Sequence, residues 1–490
     1  MAQGIKFSPY LRKSFCQQLL VFILPCWLLT AFTTLNATQT VVEADGLNRP
    51  SFSETPAKLE SNEENAGREE AEVADERLQK LEEELVELKK AKSKLPSITV
   101  NGAFQADGVL VGQSDLSREV FGSIQNGGDF RRARLSAKGD VADNMSYFFQ
   151  MDFGFFGRPS FTDVWVDLKT LPILGTFRVG QWKQPFGLEV VSSYRYTTMM
   201  ERSSTFQAFT PFRHIGFGFY DHAEDLSSTW ALSYFRTGQD QFGGSISTSG
   251  GNGLAGRYTR LFQFDGEDDP TYNHWGFGYF LNSPPRHIAR FRSIPEIFVG
   301  EFAPGPIGTV GQAVPGALNG VPFFVDTGAL TDVSLVNTFG VENLKVMGPL
   351  SMQSEAMVAL VDQSVSSDSV FWGSYTQLGW FITGEHRPYD RINGAIDRVK
   401  PRCNFGREGG IGAWELTCRL SYIDLNDQAI LGGEMLNLTT GCNWYINPYC
   451  KWVFNYIHSW TDSRDFTSPI IPGQFAAQTN FWGIRCQLDF

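Results

Sequence analysis

The chain has 490 residues, 42% hydrophobic and 14% aromatic, with 49 glycines and a formal net charge of −12. That length allows two or three ordinary domains, yet no stretch beyond the N-terminus reaches the ~18 apolar residues of a membrane helix, and an acidic chain rich in strand formers argues against nucleic acid as a partner. The charge is uneven: +3 over residues 1–40, −6 over 41–96 and −9 over the rest.

Lys6, Arg12 and Lys13 precede an apolar run from Leu19 to Phe32, and Ala37 offers a cleavage point, so residues 1–37 read as an export signal. An uncleaved anchor helix is the alternative, against which stand the short run and Pro25. Residues 38–72, rich in Glu, Asn, Ser and Pro, have the composition of a flexible acidic linker. Over residues 73–95, Ala74, Leu78, Leu81, Leu85, Leu88 and Leu95 recur mostly at steps of three and four, broken at Lys92, and predict a short coiled coil stopped by Pro96. A solvated single helix is the alternative.

From residue 97 the pattern becomes strict alternation. In the final segment Trp482, Ile484, Cys486, Leu488 and Phe490 fall on one face and Gly483, Arg485, Gln487 and Asp489 on the other. The same holds for Trp414 to Tyr422, for Tyr147 to Phe155, and for Trp452, Phe454, Tyr456 and Trp460 opposite Lys451 and Asn455. A strand that ends on its last aromatic needs a neighbour to hold it, and a closed barrel supplies one by pairing the last strand with the first. The expected fold class is therefore all-β: a transmembrane antiparallel β-barrel over residues 97–490, of sixteen strands give or take two. Short turns at "VADN" near Asp143 and "INP" near Asn447 would face the periplasm, and "GGSISTSGGNG" the outside. A soluble sandwich or propeller is the rival.

Cys16 and Cys26 leave with the signal; Cys418, Cys442, Cys450 and Cys486 lie on apolar parity, which favours packing over disulfides, and Cys403 falls in a loop. The six histidines sit in no catalytic frame, and no Cys/His spacing suggests zinc, so neither an enzyme nor a metal or cofactor is expected.

Fixed positive charge in a narrow, poorly hydrated pore selects anions. On "FRRARLSAK", Arg132, Arg134, Ser136 and Lys138 oppose Ala133, Leu135 and Ala137 and should line the lumen, with rim exposure as the alternative. Arg178 opposes Phe177 and Val179 in the same way. In "PPRHIARFRSIPE", Arg286, Arg290 and Arg292 share one parity, so an extended loop would aim all three one way; an ordinary solvated loop is the alternative.

In order along the chain, "GGDFRRARLSAKGDV", "FTDVWVDLK", "TFRVGQWKQPFGLEVVSSYRYTTMMERSSTF", "TGEHRPYDRINGAIDRVKP" and "IGAWELTCRLSYIDLND" resemble the phosphate-selective porin O and P family of bacterial outer-membrane channels, over roughly residues 97–490. The resemblance implies a homotrimer, a third external loop folded into the pore, and passive diffusion of small solutes with a preference for anions such as phosphate. It places Arg131 and Arg132 on the family's adjacent arginines, Arg290 and Arg292 on its arginine ladder, Arg202 on its "ER" pair and Lys400 on a lysine toward the periplasm. Arg195 and Arg213 are nearby candidates without a motif match. Two positions depart: Val190 stands where phosphate-selective members carry lysine, and a second lysine place falls on Asp390 or Arg391. Asp163 and Asp167 share the inward parity of their strand, so an unselective or cation-preferring pore is the runner-up; a barrel that anchors a periplasmic coiled-coil tether is a further reading.

Overall fold

The computed structural model describes residues 77, 80, 95–154, 159–238, 250–265, 271–298, 321–406, 409–464 and 477–490. The expected export signal and linker lie outside these residues, as does the coiled coil apart from Arg77 and Lys80, both helical and exposed, and Leu95, in a bend.

Among the described residues sixteen strands close into one antiparallel barrel. They are β1 Thr99–Gln113, β2 Gly127–Ala142, β3 Met145–Asp152, β4 Ser160–Leu171, β5 Gly175–Lys183, β6 Arg213–His222, β7 Ser228–Thr237, β8 Gly251–Phe264 and β9 Thr271–Ser283. After the short loop ladder of β10 (Arg292–Ser293) with β11 (Val325–Asp326), the wall resumes with β12 Val333–Met347, β13 Leu350–Gln363 and β14 Ser369–Phe381. A second ladder, β15 (Tyr389–Asp390) with β16 (Ala395–Ile396), precedes β17 Ala413–Asp427, β18 Ile430–Asn447, β19 Cys450–Arg464 and β20 Ala477–Asp489.

Closure is made where the sequence required it. β20 pairs with β1 from Ala103↔Asp489 to Gln113↔Thr479, and Gly102 and Phe490 exchange two backbone hydrogen bonds of 3.0 Å. No edge of the barrel sheet is left open, which is what lets a sheet stand in a bilayer. Alternation then assigns the faces: Trp482, Ile484, Leu488 and Phe490 are exposed outward, while Phe481, Arg485, Gln487 and Asp489 are buried inward. Cys418, Cys442, Cys450 and Cys486 are half-buried free thiols on the outer parity, and Cys403 is an exposed free thiol.

The "VADN" and "INP" turns join β2 to β3 and β18 to β19 at the same end of the barrel, and short turns of this kind mark the periplasmic end of such barrels. The apolar core is inside the barrel rather than around it. Phe209, Phe291, Ile294, Ile297 and Phe324 from inward-folded loops meet Val336, Phe371, Ile423 and Phe481 of the wall. Offset aromatic contacts such as Phe291–Phe371, 5.2 Å between centroids, fix this packing.

Candidate solute path

Among the described residues three connections narrow the lumen: 184–212 and the segments 284–298 and 321–332 from the external end, and 382–406 with 409–412 from the periplasmic end. The first crosses the whole bore. Just beyond β5, the fully buried ring of Phe186 lies over Gly278 of β9 and Gly340 of β12. These glycines are register partners, and a Cβ on either would meet the ring at 3.0 Å. Glycine inside a strand here marks the close approach of another part of the chain. The Glu355 carboxylate on β13 accepts the N–H groups of Leu188 and Glu189 at 2.9 Å each. Farther along, Lys451 donates to the Thr197 carbonyl, Asn443 to that of Thr198, and the Met200 N–H donates to Asn455, each at 2.8 Å.

The loop's main electrostatic anchor is Glu201. Arg131 holds its carboxylate with Nε at 2.8 Å and Nη2 at 3.1 Å, Arg485 with Nη2 at 2.6 Å, and Arg132 lies at 3.4 Å. Arg485 is also bidentate to Asp107, at 2.7 and 2.6 Å. Burial alone would push the Glu201 carboxyl up, but the guanidiniums of Arg131, Arg132 and Arg485 outweigh it and hold it well below the usual carboxylate range. Because the folded value is depressed, this clasp is complete above the ordinary value of 4.5 and is lost only as the pH falls below it. Glu201 is therefore expected to contribute no change in single-channel conductance between pH 7 and pH 5; a step in that window that Glu201→Gln abolishes would count against the clasp.

Alternation turns Arg132 and Arg134 to the inner face of the wall, where both are held in ion pairs, but by itself it would turn Arg131 outward. Here the pairing shifts from Gln105↔Arg132 to Ala106↔Phe130, leaving Arg131 as the extra residue of a β-bulge, and both arginines reach the same carboxylate.

The second loop joins the network through Glu296, fully buried, which accepts Arg419 at 2.5 and 3.1 Å and the Ser421 hydroxyl at 2.5 Å. Its arginines behave differently. Ala289, Phe291 and Ser293 are buried, so the alternate residues Arg290 and Arg292 are exposed, as is Arg286 in the preceding turn. Arg290 is bidentate to Asp326 at 2.8 and 2.5 Å, and those hydrogen bonds hold its guanidinium above its usual value. Arg292 lies 4.1 Å over the Phe323 ring.

The third connection is pinned from below. Arg387 pairs with the fully buried Glu415, which also accepts Asn443 at 3.0 Å and the Tyr445 hydroxyl at 2.9 Å. Arg257 donates to the Gly394 carbonyl at 2.7 Å, and buried His274 bridges Tyr389 (2.6 Å) and Glu342 (2.9 Å). The two loops touch where the Ile396 N–H donates to the Ser192 hydroxyl at 3.1 Å.

Between these loops and the wall of β3 to β8 lies a chamber of about 360 Å³. The wall contributes Phe148, Asp163, Trp165, Arg178, Lys183 and Tyr220; the loops contribute Ser193, Tyr196, Asp390, Asn393 and Asp397. Arg178 borders it, bound to Asp167 by two bonds of 2.7 Å. Arg213 and Asp163 pair at 2.7 Å.

The other expected positions are distributed. Arg134 is bound to Asp152 at 2.6 Å, and Lys400 is exposed on the periplasmic loop. Arg202 is a correction: it does not line the pore but is buried within its own loop, donating to the carbonyls of Glu189 (2.6 Å) and Ser192 (3.0 Å). Burial lowers its guanidinium to about 10. Val190 is fully buried as well, so the position of the missing lysine faces packing rather than the chamber. Sequence reasoning missed Lys183, Arg257 and the acids Glu189, Glu201, Glu296 and Glu355; beyond the in-folded loop that the resemblance implied, the inward glycines Gly278 and Gly340 were the signal of where it docks.

A closed wall, apolar outside, around a bore narrowed by charged inward loops defines an outer-membrane channel protein. Residues 100–286 and 322–490 match Phosphate-selective porin O and P, and the chain belongs to that family. Porin O of Pseudomonas aeruginosa is 24% identical over 400 residues, 75% of this chain and 83% of its own length. An uncharacterized protein of Caulobacter vibrioides is 24% identical over 401 residues, covering 80% and 74%. Among solved structures, OprB of Pseudomonas putida at high pH has a TM-score of 0.46 at 9% identity, covering 80% of this chain and 94% of that one. OmpT of Vibrio cholerae, in a trimer form, also scores 0.46, at 11% identity, covering 80% and 99%.

Proposed function

We propose that this porin is a non-enzymatic pore for passive diffusion of small solutes, with a modest preference for anions such as phosphate set on its external side. The carrying observation is the loop at 286–293, whose buried alternate residues leave Arg286, Arg290 and Arg292 exposed. Exposed guanidiniums beside a low-dielectric wall raise the local concentration of anions. The preference is modest because Arg290 shares its charge with Asp326. His274, fully buried and engaged at both ring nitrogens, serves to pin a loop, which suits a pore and not a catalyst. In the same reading three copies assemble, with the coiled coil in the periplasm.

The test is the reversal potential of the reconstituted protein under a chloride gradient. Arg290→Ala with Arg292→Ala is expected to lower the anion-to-cation permeability ratio severalfold; an unchanged potential would remove this loop from selectivity. One observation favours a second reading, an unselective or cation-preferring pore: the carboxylates of Asp390 and Asp397 border the chamber. A cation-selective potential in the unaltered protein would establish it.

A further inference from the structure

We propose that the chamber takes a neutral, polyhydroxylated ring solute of monosaccharide size; this rests on the pore reading above and names the solute for the same path. The first observation is an aromatic tract on the wall. Phe148 and Trp165 are register partners with rings 5.5 Å apart and parallel to within 18°. The Arg178 guanidinium lies 3.7 Å over Trp165 and 4.8 Å from the Tyr220 ring, and Tyr196 borders the chamber from the crossing loop. Flat apolar faces beside polar groups suit a ring whose C–H face packs on them while its hydroxyls turn to the polar side.

The second observation is the mixture of donors and acceptors. Arg178, Lys183 and Asn393 bring N–H groups and Asp163, Asp390 and Asp397 bring carboxylates, several already paired within the site: Asp163 with Arg213, and Asp390 with the Asn393 amide at 2.6 Å. A sugar hydroxyl donates and accepts at one atom, whereas a phosphate dianion, with a single O–H, is mainly an acceptor and would meet the carboxylates as like charge. Charge of both signs is largely matched inside the protein, Arg178 by Asp167, Arg257 by Glu342 and Asp163 by Arg213, while Lys183 donates to the carbonyls of Val191 (2.7 Å) and Ser192 (2.8 Å). A neutral solute that uses the remaining hydrogen-bonding capacity therefore fits better than a strongly charged one. The volume of about 360 Å³ lies in the ~300–1,000 Å³ range of small-ligand sites.

The test is single-channel recording of the full-length protein in planar bilayers with glucose as the probe. A saturable reduction of ion current is expected, with inorganic phosphate at equal concentration blocking less. Trp165→Ala and Tyr196→Ala are each expected to raise the half-saturating glucose concentration about tenfold, while Trp165→Phe keeps it within about twofold. Current that falls only as bulk viscosity dictates, or block by phosphate at lower concentration than by glucose, would overturn the assignment. A protein that inserts and conducts nothing would overturn the pore reading itself, so the two failures are told apart.

Discussion

Glu201→Ala is expected to free the crossing loop, raising single-channel conductance and making the pore more anion-attracting at once. The substitution removes the carboxylate that three guanidiniums share, leaving Arg131 and Arg132 facing the bore with no acid in its place and Arg485 with Asp107 alone. Removing one partner of a buried ion pair typically costs about 3–5 kcal/mol, because the survivors keep their desolvation without the compensating field. The loop remains tied at Phe186, through Glu355, and by Lys451, Asn443 and Asn455 at Thr197, Thr198 and Met200, so its release is confined to the turn around Glu201. Glu201→Gln, which keeps the shape and loses the charge, should fall between the parent and the alanine variant. A conductance and reversal potential equal to the parent's would mean that the clasp does not hold the loop.

Arg387→Met is expected to have the largest effect on stability. Glu415 is fully buried, and without Arg387 it keeps only neutral donors, Asn443 and Tyr445. The expected loss is again about 3–5 kcal/mol, read as a lower temperature for the electrophoretic shift from folded to unfolded barrel. Adding Glu415→Gln should restore much of it, since a neutral pair in place of an ion pair is often nearly harmless. If the double variant melts no higher than Arg387→Met, the buried charge is not the cause.

The barrel was largely legible in the sequence because its cause is local. A period of two writes the faces, a terminal aromatic implies a partner strand, and the turns at Asp143 and Asn447 stand where the alternation breaks. The bulge at Arg131 was not legible: alternation carries no mark of an inserted residue, and only the likeness of "FRRAR" to a known family flagged both arginines. The docking of the loops was legible least. Glu201 lies 284 residues from Arg485, and Glu296 lies 123 from Arg419; no local pattern joins charges so far apart. Arg202 misled for a related reason. Its neighbour in the "ER" pair is the charge that meets the wall, while Arg202 turns back to close its own loop. Gly278 and Gly340 recorded in the wall that something must pass close by, without saying that it would be Phe186.

The most direct measurement is of whether current flows through the chamber. Asn393 is exposed on its periplasmic boundary, and the other cysteines of the wall sit on the lipid face, so Asn393→Cys with Cys403→Ser offers a single lumenal thiol. Reaction with a bulky charged methanethiosulfonate during single-channel recording is expected to lower the current in discrete steps. Complete modification with an unchanged current would contradict the account, because ions would then be passing elsewhere.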